Sequence, residues 1–383
     1  MSISNKIEDL TKLTHRNFDV AIIGAGCAGL SLANQLSLNT NKSIVIIDEQ
    51  TQRPNHLWGF WDNGNESFEI ARKVSQKTWD KWSVHSHEKK TTHEGKQSVY
   101  RVLESEIFEK FIWRELLKNK KIERIKSNVN NCAKTPLKTT LHLINGQEIT
   151  ANRIFDSRPL QYPRGILLQH FVGLKIQTNQ KIFDPSTLIL MDFRATQKEG
   201  IHFIYLLPFC EKSALIESTV ISESPKENTW YQKQIRKYLT KFYNCSYFTI
   251  QNTEQGIIPM GVPQSDISMG IPIGLRAGAL RASSGYAFAQ IQDQVWDLGQ
   301  KICKNIPPIT KPGCDKFEQF MDSVFLRVMK RHPENAPDIF LKILDSLNGD
   351  EFADFMRGYS KWRIKLRLIM NLPKVKFLKG IIN

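Results

Sequence analysis

Residues 18–29 read Phe-Asp-Val-Ala-Ile-Ile-Gly-Ala-Gly-Cys-Ala-Gly, a short apolar run that passes directly into Gly24, Gly26 and Gly29. This order constrains the fold more than any other feature of the chain: strand, glycine turn, helix start. Gly24 permits the tight turn, Gly26 lets a pyrophosphate approach bare backbone, and Gly29 lets the following helix pack on the strand. Phosphates then sit at a helix N-terminus, on N–H groups without intrahelical partners and at the positive end of the dipole. A second apolar run, residues 43–47, ends in Asp48, at the distance where a carboxylate binds the adenosine ribose hydroxyls. The pattern predicts a dinucleotide-binding βαβ unit rather than an ordinary glycine-rich turn.

The 383 residues exceed one ordinary domain, so several lobes around a sizeable core are expected. Residues 1–17 are polar and carry both signs of charge, which is unlike a secretory leader. No apolar run approaches the roughly 20 residues of a membrane span. Cysteines 27, 132, 210, 245, 303 and 314 are scattered without a CxxC pair. That spacing fits reduced thiols in a cytoplasmic protein and gives neither a disulfide frame nor a metal site.

Net charge is +15, and residues 361–383 hold seven Lys and Arg and no acid. Their basic residues alternate with Trp362, Leu366, Leu368, Ile369, Phe377, Leu378, Ile381 and Ile382. Such a segment suits peripheral contact with an anionic membrane surface, or else packs its apolar side on the core and leaves its lysines in water. No nucleic-acid-binding motif accompanies the charge.

Along the chain, residues 1–17 read as a polar lead. Residues 18–50, 96–168 and 252–305 are expected to form a discontinuous dinucleotide-binding domain. Residues 51–95 and 169–251 would form a substrate region, and residues 306–383 a helical region with the basic tail. Within 51–95 the sequence reads as irregular. Residues 188–193, 201–209 and 214–222 predict an antiparallel meander with short polar turns, and Asn145-Gly146 predicts a hairpin. The fold class is thus α/β with α+β elements: a Rossmann-like domain with an inserted antiparallel sheet, the outline of flavoproteins in which a sheet roofs the isoalloxazine. That outline favours FAD over NAD as the tightly bound cofactor.

Eight phrases carry a family resemblance. They are Trp58-Gly59-Phe60-Trp61, Phe155-Asp156-Ser157-Arg158-Pro159, Gln169-His170-Phe171, Met191-Asp192-Phe193-Arg194, Tyr205-Leu206-Leu207-Pro208-Phe209, Ala214-Leu215-Ile216-Glu217-Ser218-Thr219, Ile258-Pro259-Met260-Gly261 and Ser283-Ser284-Gly285-Tyr286. In this order, from about residue 18 to 345, the chain resembles the lycopene cyclases of bacterial type, FAD-containing enzymes that form carotenoid rings. The resemblance implies an acid–base ring closure of lycopene without net oxidation. It also implies non-covalent FAD, reduced in the active form, with NADPH or NADH as reductant. An FAD-dependent monooxygenase or isoprenoid reductase is the alternative on the same scaffold, and an idle flavin-binding membrane scaffold a further one.

Ring closure of this kind demands a strong local acid, stabilisation of positive charge and exclusion of water. Strand alternation puts Leu215, Glu217, Thr219 and Ile221 on one face. A carboxyl among such neighbours loses hydration and holds its proton. Glu217 also matches the leading glutamate of the family's acidic strand motif. That motif often carries a second, adjacent glutamate, whereas here Ser218 follows. Trp58, Phe60 and Trp61, read as a loop, are the expected substrate contacts, since indole faces attract cations by about 2 kcal/mol or more when water is excluded. Asp156, at a strand end, is placed near the flavin. Gly274, Gly278 and Gly285 are expected to offer backbone N–H groups to its diphosphate, with Arg276 and Arg281 as substitutes by charge. His56 and His170 are read as structural histidines, and Asp192 with Arg194 as a structural ion pair.

Overall fold

A computed structural model of the protein describes residues 16–50, 52–135, 138–261 and 268–372. The first part of the chain runs β1 (Arg16–Ile23), α1 (Cys27–Asn39), β2 (Ile44–Ile47), β3 (Leu57–Asp62), α2 (Glu69–Val74), β4 (Lys77–Trp79), β5 (Lys81–His85), β6 (Lys90–Glu94) and β7 (Val99–Glu104). Next come α3 (Ser105–Leu116), β8 (Ile122–Ile125), β9 (Val129–Lys134), β10 (Thr139–Leu143), β11 (Glu148–Asp156), β12 (Leu167–Gln177), β13 (Thr187–Asp192), β14 (Ile201–Cys210) and β15 (Ser213–Ser222). The remainder is α4 (Asn228–Tyr243), β16 (Thr249–Met260), β17 (Ile271–Pro272), α5 (Phe288–Cys303), α6 (Lys316–Arg331), α7 (Ala336–Asp345), α8 (Gly349–Arg357) and α9 (Trp362–Asn371).

Three sheets organise these elements. In the first, ordered β8-β2-β1-β11-β10-β9 with β17 beside β11, the central strands β8, β2, β1 and β11 run parallel. Val20 to Ile23 and Ile44 to Ile47 are buried throughout, as strands covered on both faces must be. Helices α1, α3 and α5 pack their apolar stripes on one side. The second sheet, β16-β12-β15-β14-β13-β5-β6, contains the expected meander β13-β14-β15, antiparallel in register. Its outer face packs on α4 through Leu174, Ile204, Ile216 and Val220. Its inner face meets the C-terminal helices through Leu190, Phe203, Leu207 and Phe340. A small third sheet, β3-β7-β4, joins the two layers.

Three expectations are corrected. Arg16 and Asn17, read as part of the loose lead, extend β1 and pair with Ile149 and Thr150. Residues 51–95 are ordered into β3 to β6 and α2, because short strands of mixed polarity escape a period-2 reading. β7 joins β3 and β4, and β16 forms an edge of the second sheet beside β12, whereas the expected dinucleotide part includes β7 and residues 252–260 of β16. β16 exposes one face to water, so its apolar count is low for a strand. The basic tail divides at Leu372, since residues 373–383, with Phe377, Leu378, Ile381 and Ile382, lie outside the described residues. Within α9, Ile364 and Leu368 are buried in the core, and buried Lys365 reaches Asp315 at 2.7 Å. Trp362, Leu366, Ile369 and Met370 face outward.

Asp192 and Arg194 form the structural ion pair expected of them. The fully buried carboxylate accepts from Arg194 Nε at 2.8 Å and Tyr238 Oη at 2.7 Å. Burial opposes its charge, but the bonds from Arg194, His85 and Tyr238 outweigh that and hold it far below the usual carboxylate range.

Candidate active site

Two concavities share Pro159 in their walls. The first is a cleft of about 800 Å³ at the C-terminal ends of β1 and β2, lined by Gly24, Gly26, Asp48, Arg53, Ser157, Arg158 and Arg276 among others. Its shape follows from the glycines. Gly24 turns with φ +96°, and a Cβ at Gly29 would stand 2.0 Å from Gly24 O, so α1 starts in direct contact with the turn. A Cβ at Gly26 would meet nothing within 4 Å. Backbone is therefore bare on the open side, where α1 begins without a side-chain cap. A dinucleotide diphosphate fits such a cradle.

Asp48 lines this cleft with its oxygens already engaged. Oδ2 accepts from Ala25 N at 2.5 Å and from Arg53 at 2.6 Å, and Oδ1 accepts from Gln50 N at 2.7 Å. It pins the glycine turn as well as facing the ligand space. Asp156 is fully buried behind the cleft, with Arg158 bonded to both oxygens at 2.9 and 2.7 Å and Arg276 at 3.6 Å. Burial works against its ionisation, but the Arg158 bonds and the charges of Arg158 and Arg276 keep its pKa below the ordinary value. Asp156 thus acts behind Arg158, and the two arginines present positive charge to the cleft.

The expected glycine cradle at 274–285 is revised. Gly274 N donates to Gln294 Oε1, Gly278 N to Leu275 O and Gly285 N to Arg281 O, so these three N–H groups are committed within the protein. Gly278 packs against Pro312, whereas Gly285 lines the second concavity. Arg281 forms a buried ion pair with Asp322. The run reads as glycine-rich because it turns tightly, a signal the sequence shares with phosphate loops.

The second concavity, about 560 Å³, lies beneath the second sheet. Its wall is largely apolar, with Phe171, Leu190, Phe203, Leu207, Ile258 and Phe340 among the residues around Glu217. Alternation along β15 places Glu217, Thr219 and Ile221 on this face. Ser218 points to the other face, where it is fully buried and bonded to His202 Nε2 at 2.9 Å. Burial and the neighbouring Glu254 carboxyl raise the pKa of Glu217 well above that of an ordinary glutamate.

Glu254 was not anticipated from sequence. Gly173 on β12 is opposite Glu217 on β15 and opposite Glu254 on β16, so the glutamates flank it in one row. A Cβ at Gly173 would stand 2.9 Å from Glu217 Cγ and 3.1 Å from Glu254 Cγ. The missing side chain lets the two carboxyl arms converge. Glu254 Oε2 accepts from Leu57 N at 3.0 Å.

Three tyrosines face the same site. Tyr205 is paired with Glu217 in the sheet, Tyr205 Oη donates to Tyr100 Oη at 2.8 Å, and Tyr100 Oη lies 3.3 Å from Tyr286 Oη. Burial, with the mutual repulsion of their ionised forms, raises all three pKa values well above 10.0, so they remain neutral hydroxyls. Tyr100, Tyr205 and Tyr286 lie far apart along the chain, and nothing local marks them as a cluster.

Of the three aromatic residues expected to touch substrate, Trp58 alone lines this cavity. The segment is strand β3 rather than a loop. Phe60 is buried against Phe68 and Phe288, and Trp61 against Trp82, Tyr100 and Tyr286, so both support the wall from behind. His170 bonds Tyr231 and Ser222 on the outer face, and burial lowers its pKa to about 4. Burial likewise lowers the pKa of His56.

Residues 19–375 match the family model described as "Lycopene cyclase protein". The chain is 29% identical over 180 residues to a lycopene beta-cyclase of a Paracoccus species, covering 40% of this chain and 42% of that protein. It is 24% identical over 388 residues to the lycopene beta-cyclase of Pantoea ananas, covering 95% and 97% of the two. The first curated relatives are matched over 42 to 61% of their own lengths. Among solved structures, a flavoprotein/dehydrogenase from Cytophaga hutchinsonii has the same fold, with a TM-score of 0.61, 13% identity, and 96% and 99% of the chains covered.

Proposed function

Since this chain belongs to the lycopene cyclase protein family, we propose that it closes the acyclic ends of lycopene into ionone-type rings, most simply to β-carotene by way of γ-carotene. One observation carries the reading. Glu217, whose hold on its proton is strengthened by burial and by Glu254, faces an apolar cavity beside the cleft that fits a dinucleotide. Glu217 donates to the terminal alkene: the π pair forms the new C–H bond, and positive charge develops on carbon. An internal double bond captures that cation, and loss of a ring proton restores neutrality, so each ring takes up and releases one proton. Trp58 offers an indole face to the cation. Neutral Tyr205, Tyr100 and Tyr286 hold their hydroxyls toward one another beside Glu217. The apolar wall excludes water that would quench the cation.

Bound FAD, kept reduced by NADPH or NADH, would supply an electron-rich ring system that favours positive charge nearby. Gly24, Gly26, Asp48, Arg158 and Arg276 would hold its ADP portion, with Gly285 beside the central cavity. Expression in lycopene-producing bacteria tests the reading: cells should turn from red to orange or yellow, and purified protein with NADPH should form rings without consuming oxygen. Folded, FAD-loaded protein that leaves lycopene intact would refute it. Oxygen consumption coupled to substrate would point to a monooxygenase instead.

A long hydrocarbon substrate arrives from lipid, and α9 offers a means of docking on an anionic surface. Among the described residues no helix is long and apolar enough to cross a membrane. Because Ile364, Lys365 and Leu368 are anchored in the core, removing the whole tail would disturb the fold. The outward side chains are the better probe. The pair Trp362→Ser and Ile369→Ser is expected to weaken sedimentation with anionic vesicles severalfold, most visibly at low salt, with the melting temperature unchanged. Undiminished sedimentation would exclude this surface.

A further inference from the structure

We propose that Glu254 is a positioning residue that acts through Glu217, holding its proton in place and resupplying it from solvent along a route that never opens the hydrocarbon cavity to water. The proposal rests on the cyclase reading above and extends it.

The two glutamates line neighbouring spaces on one face of the sheet. Glu217 lines the central cavity. Glu254, its neighbour across Gly173, lines instead a hollow of about 30 Å³ one rung further along the strands, with Asn55, Glu104, Lys175, Asn252 and Leu215, and Leu57 borders both spaces. That volume accommodates about one water molecule, and Asn252 at its rim is exposed. Glu254 therefore stands between the reacting acid and solvent.

Its two oxygens are unequally served. Oε2 accepts the Leu57 N–H. Oε1 is buried and accepts no N–H or O–H bond from the described residues. A buried carboxylate oxygen without a donor is costly, and the protonated carboxyl of Glu217 is the donor this position needs. Two carboxyls so close cannot both ionise readily, so one proton is shared and Glu217 holds it.

The charges around Glu254 suit transfer. Burial and Glu104 at the end of β7 raise its proton affinity, whereas the Leu57 N–H, the hydrogen bond with Glu217 on β15 and the charge of Lys175 on β12 lower it. Lys175 also lies 3.7 Å from Glu104, and Glu104 is tied to Asn55 and Gln76. On the cavity side, Tyr205 and Tyr100 are neutral and add no charge. When Glu217 gives its proton to the alkene, two carboxylates face each other across Gly173. Their repulsion draws a proton from the water in the hollow onto Glu254, and from there to Glu217. The proton released from the ring returns to solvent in the reverse direction, so each closure leaves the pair as it began.

Turnover of lycopene in D₂O, with quantification of deuterium in the rings, tests this. Wild type should incorporate close to one deuterium per ring. Glu254→Gln, which keeps the size of the side chain and its hydrogen bonding but carries no exchangeable acid, should lower multiple-turnover rate at least tenfold. It should also raise the fraction of unlabelled rings, since the ring's own proton is then recycled by Glu217. Its alkaline limb of activity should move to lower pH, because the like charge that raises the pKa of Glu217 is gone. Asn252→Phe, which covers the hollow without touching either carboxyl, should reproduce the loss of label. Rings formed by both variants with wild-type deuterium content and an unmoved pH profile would overturn the relay while leaving the cyclase reading intact. Absence of ring formation by wild type would overturn that reading itself. FAD absorbance and thermal melting establish that each variant is folded. If Glu254→Gln fails to fold, wild-type labelling in Asn252→Phe alone refutes the relay.

Discussion

Glu217→Gln is expected to lower lycopene conversion by about 10²–10⁴-fold, the usual worth of a positioned general acid, with FAD content and melting temperature close to wild type. Glutamine has nearly the same volume and can donate its amide N–H toward Glu254, so the packing of β15 and the row through Gly173 survive. It cannot deliver a proton. The same residue sets the pH dependence. The active form of Glu217 is the protonated one, and burial beside Glu254 raises its pKa well above the ordinary value. Activity is therefore retained above the pH at which an ordinary glutamate ionises and falls as pH rises past that raised pKa. Product chromatography at fixed FAD occupancy gives the rate, and a pH series gives the limb. Turnover by the glutamine variant within a few-fold of wild type would remove Glu217 from its role.

Gly29→Ala and Gly26→Ala should fail in different ways. At Gly29 the new methyl would stand 2.0 Å from Gly24 O, a backbone atom inside the glycine turn. Neither α1 nor the turn can yield without disturbing β1 and α5, so stability should fall by about 1–3 kcal/mol or more, with FAD lost as a consequence. At Gly26 a methyl meets nothing within 4 Å. The apoprotein should melt as wild type, within about 0.5 kcal/mol. FAD affinity should nevertheless drop about tenfold or more, because the methyl stands where the diphosphate must approach, and one lost bond to a charged group is worth about 1.5–3 kcal/mol. Melting curves with and without FAD, together with flavin fluorescence titration, separate the two. Equal loss of apo stability in both would mean that Gly26 is structural, and unchanged affinity in Gly26→Ala would remove the diphosphate from this turn.

The fold was legible where local pattern and burial coincide. The apolar runs of β1 and β2 with their glycine turn, and the meander through β13 to β15, follow from period and turn chemistry alone. Glu217 was legible for the same reason, because alternation assigns its face. Glu254 was not. Its relation to Glu217 is set by the order of strands β16-β12-β15 and by the register on Gly173, which no local window contains. The tyrosine cluster was hidden likewise, drawing Tyr100, Tyr205 and Tyr286 from three distant segments. The Trp58 segment misled in the opposite direction: four residues rich in aromatics resemble a contact loop, but strand pairing with β7 turns Trp61 away from the cavity. The glycines at 274–285 misled because a tight turn and a phosphate loop share their vocabulary.

The reverse side of β15 bears on how such strands are redesigned. Ser218 sits under α4 against an imidazole that burial keeps uncharged, the pKa of His202 being lowered to about 4. A second glutamate introduced there would not join the first. It would be marooned on the dry side of the sheet without a counter-charge, and the chain would have to protonate it or expel it. Consecutive letters on a strand are back-to-back neighbours, and an acid doublet written in series contributes a single tooth to the reaction chamber; its working companion has to come from an adjoining rung.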